Sequence, residues 1–389
     1  MKKGTIKLPE SLPQCQLMNI LVSKANARHD TDFNFIANLD NFYQVIRAIV
    51  SQINILFPEY TPHDDQYHLK NLFYVADKIL GNQQLESMNS AELFILACSI
   101  YGHDWGMAVS NSEKHYIVTG RLPEGMTDET CRSLEWDRNS FCIFASKYNL
   151  PLDTINNAED INFVLWQEYI RQTHATRSGI RTKQYFELID TGVAESIMRV
   201  CESHSLNFEE LRDPLYPAIF PVLSEEVNLR ALAVYLRLID LFDFAQDRTP
   251  YVLWKYVAPR NPISSMEWAK HRSLQPITCP RYLEGRSICV GGSTDDHEVF
   301  AALEDLHQYC ETQLRGCNDV LSRMNDPRHN LGIYNLDWNV APRGFIPVSI
   351  QFEFDRQNMF NILSDEIYQG DCYVFLRELL QNSIDANSV

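Results

Sequence analysis

The chain is 389 residues long, which is more than one domain usually needs and suggests a multi-domain protein. Hydrophobic residues make up 45% and charged residues 22%, a composition that excludes a largely disordered or fibrous chain. The formal net charge of −17 disfavours a protein that coats duplex nucleic acid. No apolar stretch approaches the ~18 residues of a membrane span, and the first residues lack the apolar run of a secretory signal. We therefore expect a cytoplasmic protein that does not cross a membrane.

Helical spacing of apolar residues dominates the first two thirds of the chain. It predicts helices at 41–57, 65–80, 90–101, 139–148, 158–173, 183–189, 193–204 and 226–244. Residues 1–40 are expected to form a loosely structured lead-in. Residues 105–138 are polar and turn-rich, and we interpret them as an insertion that could cover a pocket.

The last third of the chain, from residue 249, mixes helical and strand-like patterns. Five prolines between 249 and 290 favour a linker with short strands. Helical spacing returns at 295–323 and predicts one long helix, whereas alternation at 345–354 predicts a half-buried strand that a closing helix follows. The predicted fold class is mainly α, a helical bundle followed by a small α/β segment.

Five histidine and aspartate positions stand out because they fall at or near predicted helix ends. His103 and Asp104 directly follow the apolar run 93–101, with a glycine on either side of the pair. His68 precedes a predicted helix, and His174 and His204 follow two others. A sixth position, Asp240, lies inside a strongly apolar helix, where a carboxylate must be paired or bound to a cation.

Taken singly, each histidine is most simply a satisfied core or surface residue. Together, imidazoles and carboxylates on separate helices suit Mn, Fe, Zn, Co, Ni or Mg ions. Two cations that share Asp104 would suit hydrolysis at phosphorus.

These residues resemble the H…HD…H…H…D series of the HD-domain metal-dependent phosphohydrolases. The segment Tyr101-Gly102-His103-Asp104-Trp105-Gly106-Met107 is similar to the HD-x-G signature of that superfamily, and residues 236–243 are similar to its closing helix. The resemblance spans roughly residues 45–250. It implies one metal held by His68, His103, Asp104 and Asp240 and a second held by Asp104, His174 and His204, with Asp104 also catalytic.

Basic groups near this series could hold substrate phosphates. Arg177 and Arg181 would share a helix face with His174 if the helix continued past Gly179. The alternative is that both are solvated surface arginines. Weaker phosphate-binding candidates are Lys114, His115 and His63. Asp243 could orient a metal ligand, or it could be a solvated acid at a helix end.

The C-terminal segment 375–386 resembles the first ATP-binding helix of the GHKL superfamily, especially its heat-shock chaperone branch. Glu378, Asn382 and Asp385 fall on one polar helical face, and the resemblance implies that they bind Mg-ATP. The alternative is an ordinary amphipathic helix. The chain stops before a D-x-G-x-G motif, so we expect the natural protein to continue and this chain to bind ATP weakly.

These features define four predicted regions: a lead-in at 1–40, a phosphohydrolase domain at 41–250, a helical and β extension at 251–340, and the start of an ATPase domain at 341–389. The leading hypothesis is a phosphohydrolase of a nucleotide or a single-stranded nucleic acid, regulated by the ATPase, in antiphage defence. Phosphomonoesterase, phosphodiesterase and nuclease activities remain open, and a homo-oligomer through the ATPase region is expected. The alternative is a metal-stabilised nucleotide sensor without turnover.

Overall fold

The computed structural model describes residues 6–30, 32–123, 127, 133–152, 155, 157–244, 249–282, 285–324 and 326–347. The chain divides into two compact units, Met1–Gly344 and Phe345–Val389. Only residues 345–347 of the second unit are described, so the predicted strand at 345–354, apart from these, and the closing helix lie outside the described residues. How the first unit divides into functional regions stays a prediction.

The first unit is mainly helical, which confirms the predicted fold class for this part of the chain. Its helices are α1 Gln16–Ala27, α2 Phe35–Val50, α3 Ile53–Leu56, α4 Lys70–Ser87, α5 Ser90–Gly102, α6 Asn111–Thr119, α7 Glu135–Lys147, α8 Phe163–Phe186, α9 Thr191–Ser203, α10 Leu229–Leu241, α11 Tyr251–Val257, α12 Pro262–Ser273 and α13 His297–Ser322. Its strands are β1 Phe220–Val222, β2 Glu225–Val227, β3 Arg281–Tyr282, β4 Gly285–Thr294 and β5 Ile333–Pro342.

Helix α5 is the centre of the bundle. All of its residues are buried, because it is apolar on every side and packs against α1, α2, α4, α9 and α10. A capping box starts it: the Asn89 side chain accepts from the Glu92 backbone N–H at 2.9 Å, and the Glu92 carboxylate accepts from the Asn89 N–H at 3.0 Å. This buried helix ends at Gly102, directly before the His-Asp pair.

Helices α8 and α9 pack against each other beside this centre. The prediction of two helices at 158–173 and 183–189 was wrong, because α8 runs without interruption through Gly179. A Cβ at Gly179 would lie 2.9 Å from the Met198 carbonyl oxygen and 2.5 Å from the Glu202 Cγ of α9. The glycine is therefore a site of close helix packing and does not end the helix.

The N-terminal segment is more ordered than the sequence suggested. Helix α1 buries Leu17, Met18 and Leu21 against α4 and α5, where a loosely structured lead-in was predicted. Asp77 of α4 accepts hydrogen bonds from the backbone N–H groups of Gln16 and Leu17 at 2.7 and 2.8 Å. The carboxylate thus caps α1 from another helix, a contact that local sequence does not reveal.

Two further segments are also more helical than predicted. The turn-rich insertion at 105–138 contains α6 and the start of α7, and the linker at 249–290 contains α11 and α12 as well as short strands. The long helix at 295–323 is confirmed as α13. Strand β4 pairs antiparallel with β3 and parallel with β5, and α13 connects β4 to β5.

Within the described ranges, no helix combines the length and the hydropathy that crossing a membrane would require.

Candidate metal centre

The His-Asp pair lies where the buried helix α5 ends. His103 is the C-terminal cap residue of α5, as the sequence predicted, and Asp104 follows with φ −101° and ψ 5°. Both side chains are buried, His103 fully and Asp104 almost fully. Because the backbone leaves the helix here, adjacent side chains can reach the same point in space.

His68 enters the site from a single π-helical turn, Asp65–Leu69, that precedes α4. Such turns recur at functional sites. Its Nδ1 lies 2.7 Å from Asp243 Oδ2, and the other oxygen of Asp243 accepts from the Asn71 side chain. Asp243 thus orients His68 and is not a solvated acid, in agreement with the predicted orienting role.

The other three histidines are oriented by their own helices. In each, Nδ1 faces the carbonyl oxygen three residues earlier: His103 to Ile100 at 3.0 Å, His174 to Arg171 at 2.8 Å, and His204 to Cys201 at 2.6 Å. A carbonyl oxygen only accepts, so Nδ1 carries a proton in each ring. In the neutral form, each Nε2 therefore presents a lone pair to the site.

Asp104 lies between two groups of histidines. Its Oδ2 is 3.6 Å from His68 Nε2 and 3.3 Å from His103 Nε2, and its Oδ1 is 3.7 Å from His174 Nε2. His204 completes the second group, with its Nε2 2.9 Å from that of His174. The two oxygens of one carboxylate thus face different sets of imidazoles.

Asp240 approaches the first group from the last turn of α10. Its Oδ1 lies 3.6 Å from His103 Nε2, and its side chain is 34% exposed. The structure therefore brings together all six residues of the predicted ligand series. Their role as metal ligands stays a prediction.

The pKa values reflect this concentration of charge. For His103, burial lowers the pKa, but Asp104 and Asp240 outweigh burial and the net shift is upward. Burial raises the pKa of Asp104, yet His103 and His68 hold it well below its usual range. Burial, assisted by the neighbouring His174 and His103, lowers the pKa of His204 to about 4, so His204 is neutral near pH 7.

The chemistry of these residues fits a divalent cation. His68 Nε2 and His103 Nε2 are buried and have no hydrogen-bond partner in the described part of the chain, and both face the acceptor oxygens of Asp104. In the second group, the lone pairs of His174 Nε2 and His204 Nε2 face each other. A positive charge on each side of Asp104 would satisfy these acceptors. The chain thus contains a buried His/Asp group that could hold metal.

Arg177 and Arg181 do lie on the same helix as His174, but their guanidinium groups are already bound by protein. Arg177 donates to the Gly106 carbonyl at 2.9 Å and pairs with Asp137, and both partners of this ion pair are buried. Arg181 donates to the Trp105 and Ala108 carbonyls and pairs with Glu113 at 2.7 Å. The alternative of solvated surface arginines is wrong, because both side chains are buried and hold the segment after Asp104 against α8. Their role as phosphate ligands stays a prediction.

The weaker basic candidates have separate positions. Lys114 pairs with Glu159 at 3.2 Å, and His115 lies on the same short helix α6. His63 is close to the site, with its ring centre 5.5 Å from that of His68. The predicted ATP ligands Glu378, Asn382 and Asp385 lie outside the described residues.

A cavity of about 650 Å³ adjoins this group, and sequence reasoning missed it. It is bounded by residues 58–63, the start of α8, and α12. His63 lines it, and Arg171, whose carbonyl orients His174, lines it too. No motif could have revealed it, because its walls come from three distant segments.

The helical bundle and the converging histidines and aspartates define an HD-type domain. A family model described as HD-CE matches residues 57–316, more than half of the chain, and the protein belongs to this family. The match continues beyond residue 250, where the sequence resemblance ended, and takes in most of α13. Searches among curated proteins and solved structures return no significant match.

Proposed function

We propose that this protein is a metal-dependent phosphohydrolase that acts on a nucleotide or nucleic-acid phosphoester. The observation that carries the proposal is the position of Asp104, whose two oxygens face separate imidazole groups 3.3 to 3.7 Å away. Such an arrangement suits two cations that share one carboxylate.

The roles of the residues follow from their contacts. His68, His103, Asp104 and Asp240 would hold one ion, and Asp104, His174 and His204 the other. Bound divalent ions would withdraw charge from a phosphoryl group and activate water for attack on phosphorus. The chain orients each imidazole through Nδ1, so that every Nε2 is directed inward without rearrangement.

The test begins with the metal content of the purified protein, followed by hydrolysis assays with Mn²⁺, Mg²⁺, Co²⁺ and Ni²⁺. Substrates would include p-nitrophenyl phosphate, mononucleotides and short single-stranded oligonucleotides. We expect product from the intact protein and none from Asp104→Ala. Asp305→Ala, an exposed carboxylate on α13, is the matched control and should retain activity.

A protein that binds metal and nucleotide but releases no product with any of these ions would instead be a nucleotide sensor. A protein that neither contains nor takes up metal would contradict both functions.

We further propose that the C-terminal segment couples this activity to an ATPase. The support is the sequence resemblance around Glu378, Asn382 and Asp385. Thermal unfolding with and without Mg-ATP tests whether this chain already binds the nucleotide. We expect little shift; clear stabilisation that Asn382→Ala abolishes would contradict the expectation of weak binding. A role in antiphage defence rests on the same resemblance.

A further inference from the structure

We infer that the cavity beside the His/Asp group binds the uncharged nucleoside part of a nucleoside monophosphate, whose phosphate is directed toward Asp104. This inference rests on the proposed function and narrows its substrate class.

The cavity lies next to the site, and the two have wall residues in common. A second, smaller cavity of about 160 Å³ is lined by Asp240 and Asp243, and it shares Glu267 and His271 with the large one. At the other edge, His63 lines the large cavity and contacts His68. The volume of the large cavity lies within the range of small-molecule sites. A ligand bound at the His/Asp group would therefore extend into this space.

The charge of the cavity wall disfavours further phosphates. Among the described residues, three carboxylates line it, those of Glu59, Glu168 and Glu267, against the one guanidinium of Arg171. Arg171 is already bound by Glu168 through two hydrogen bonds, at 3.0 and 2.8 Å. A polyphosphate tail or a nucleic-acid backbone in this space would meet like charge, and none of the described lining residues offers a free cation to offset it.

The same carboxylates are held in place as hydrogen-bond acceptors. Glu59 accepts from the backbone N–H groups of Arg260 and Asn261 at 3.0 and 2.7 Å, and Glu267 pairs with Lys270 at 2.6 Å. Carboxylates fixed in this way accept from hydroxyl groups and exocyclic amines, the donors that a sugar and a base carry.

Apolar side chains form another part of the wall. Phe163 is 49% exposed and Ile263 75% exposed, although both line a concave surface. Tyr60 adds a second aromatic ring. Aromatic faces next to fixed acceptors match a flat base that carries polar edges. The wall therefore combines the two kinds of contact that a nucleoside requires.

The test measures binding and hydrolysis separately. Calorimetric titration of the Mn²⁺-loaded protein would compare the nucleoside 5′-monophosphates with the matching triphosphates and with a short oligothymidylate. We expect the best monophosphate to bind at least about tenfold more tightly than its triphosphate, because the second and third phosphates would meet the carboxylates.

Two variants locate the binding. Phe163→Ala should weaken monophosphate binding about fivefold or more through loss of stacking. Ile143→Ala removes an exposed apolar side chain from α7 and should leave monophosphate binding unchanged. Glu168→Gln should reduce the difference in affinity between the monophosphate and the triphosphate. Glu187→Gln, at an exposed glutamate directly after α8, should leave that difference unchanged.

Equal or tighter binding of triphosphates, or monophosphate binding unaffected by Phe163→Ala, would overturn the inference. Monophosphate binding that depends on Phe163 but produces no turnover of any phosphoester would uphold the cavity assignment and refute the phosphohydrolase. Turnover of p-nitrophenyl phosphate without a preference for monophosphates would uphold the phosphohydrolase and refute the cavity assignment.

Discussion

Asp243 fixes the orientation of His68 through a 2.7 Å hydrogen bond between its Oδ2 and the histidine Nδ1, and both side chains are buried. The two residues come from the last turn before α4 and the segment after α10, which are distant in sequence. A carboxylate in this position keeps the proton on Nδ1 and directs the lone pair of Nε2 toward Asp104.

Replacing Asp243 by Asn should therefore weaken the metal centre without removing a ligand. We expect metal affinity to fall about 10-fold to 100-fold, because an amide holds the imidazole less strongly and does not raise its basicity. Metal titration with a competing chelator would measure this. Asp305→Asn on the exposed side of α13 is the control. Unchanged affinity in Asp243→Asn would show that the charge of Asp243 does not strengthen the metal centre.

Gly106 lies two residues after Asp104, where the chain touches α8. A Cβ at this position would overlap the His174 carbonyl oxygen and lie 2.7 Å from the Arg177 Cβ. Gly106→Ala should thus displace the Asp104 segment and cost about 2 kcal/mol or more in unfolding free energy, with loss of bound metal. Denaturant unfolding and elemental analysis would measure both quantities.

Gly192→Ala is the matched control for this substitution. Its added Cβ would meet first the Asp190 side chain at 3.3 Å, a contact that can adjust. If Gly106→Ala retained full stability and full metal content, the close approach of the two segments would not be a requirement of the site.

The ion pair of Arg177 and Asp137 should matter for stability and not for substrate binding. Arg177→Met leaves a buried carboxylate unpaired, so the unfolding free energy should fall by about 3 to 5 kcal/mol. The double variant Arg177→Met/Asp137→Leu should lose less, because it removes both charges. A stable Arg177→Met protein with a raised KM and unchanged kcat would instead favour the original interpretation as a phosphate ligand.

Glu113 provides a pH-dependent contribution to stability. Burial raises its pKa, but Arg181 and the cap at Ser110 outweigh burial, so its folded pKa lies below the ordinary value of 4.5. An acid with a depressed folded pKa stabilises the protein above its unfolded pKa and loses that contribution as the pH falls. Glu113→Gln should cost about 1.5 to 3 kcal/mol at pH 7.

This cost should diminish as the pH falls from about 4.5 through the lower folded pKa of Glu113, where the wild-type carboxylate takes up a proton as well. Unfolding curves of both proteins between neutral and acidic pH would measure the difference. Glu187→Gln should show no such trend. A cost that stays constant with pH would mean that the charge of Glu113 is not what holds Arg181.

The spacing of apolar residues predicted much of the helical framework. The patterns for α5, α9, α10 and α13 locate these helices to within a few residues, because each buries a continuous apolar face. Spacing failed at α8, where Gly179 suggested a break. It also failed at α1, which is short and is capped by a residue some 60 positions away.

The sequence also identified the candidate ligands, since four histidines and two aspartates occur in the expected order along the chain. Their resemblance to a known series depended on residue type and order alone. Arg177 shows the limit of such reasoning. Its position beside His174 on one helix was correct, but a buried acid on α7 binds the guanidinium group, and helical periodicity carries no information about that partner.

The amino-acid sequence by itself determined where the strongly apolar helices form and which side chains are able to bind a cation, because apolar spacing and ligand chemistry are local properties. Only the tertiary structure decided that Asp104 lies between two imidazole groups, that Asp243 orients His68, and that an acidic, partly apolar cavity opens beside them. These relationships join segments far apart in the chain. They depend on how the helices pack, which no single stretch of sequence specifies.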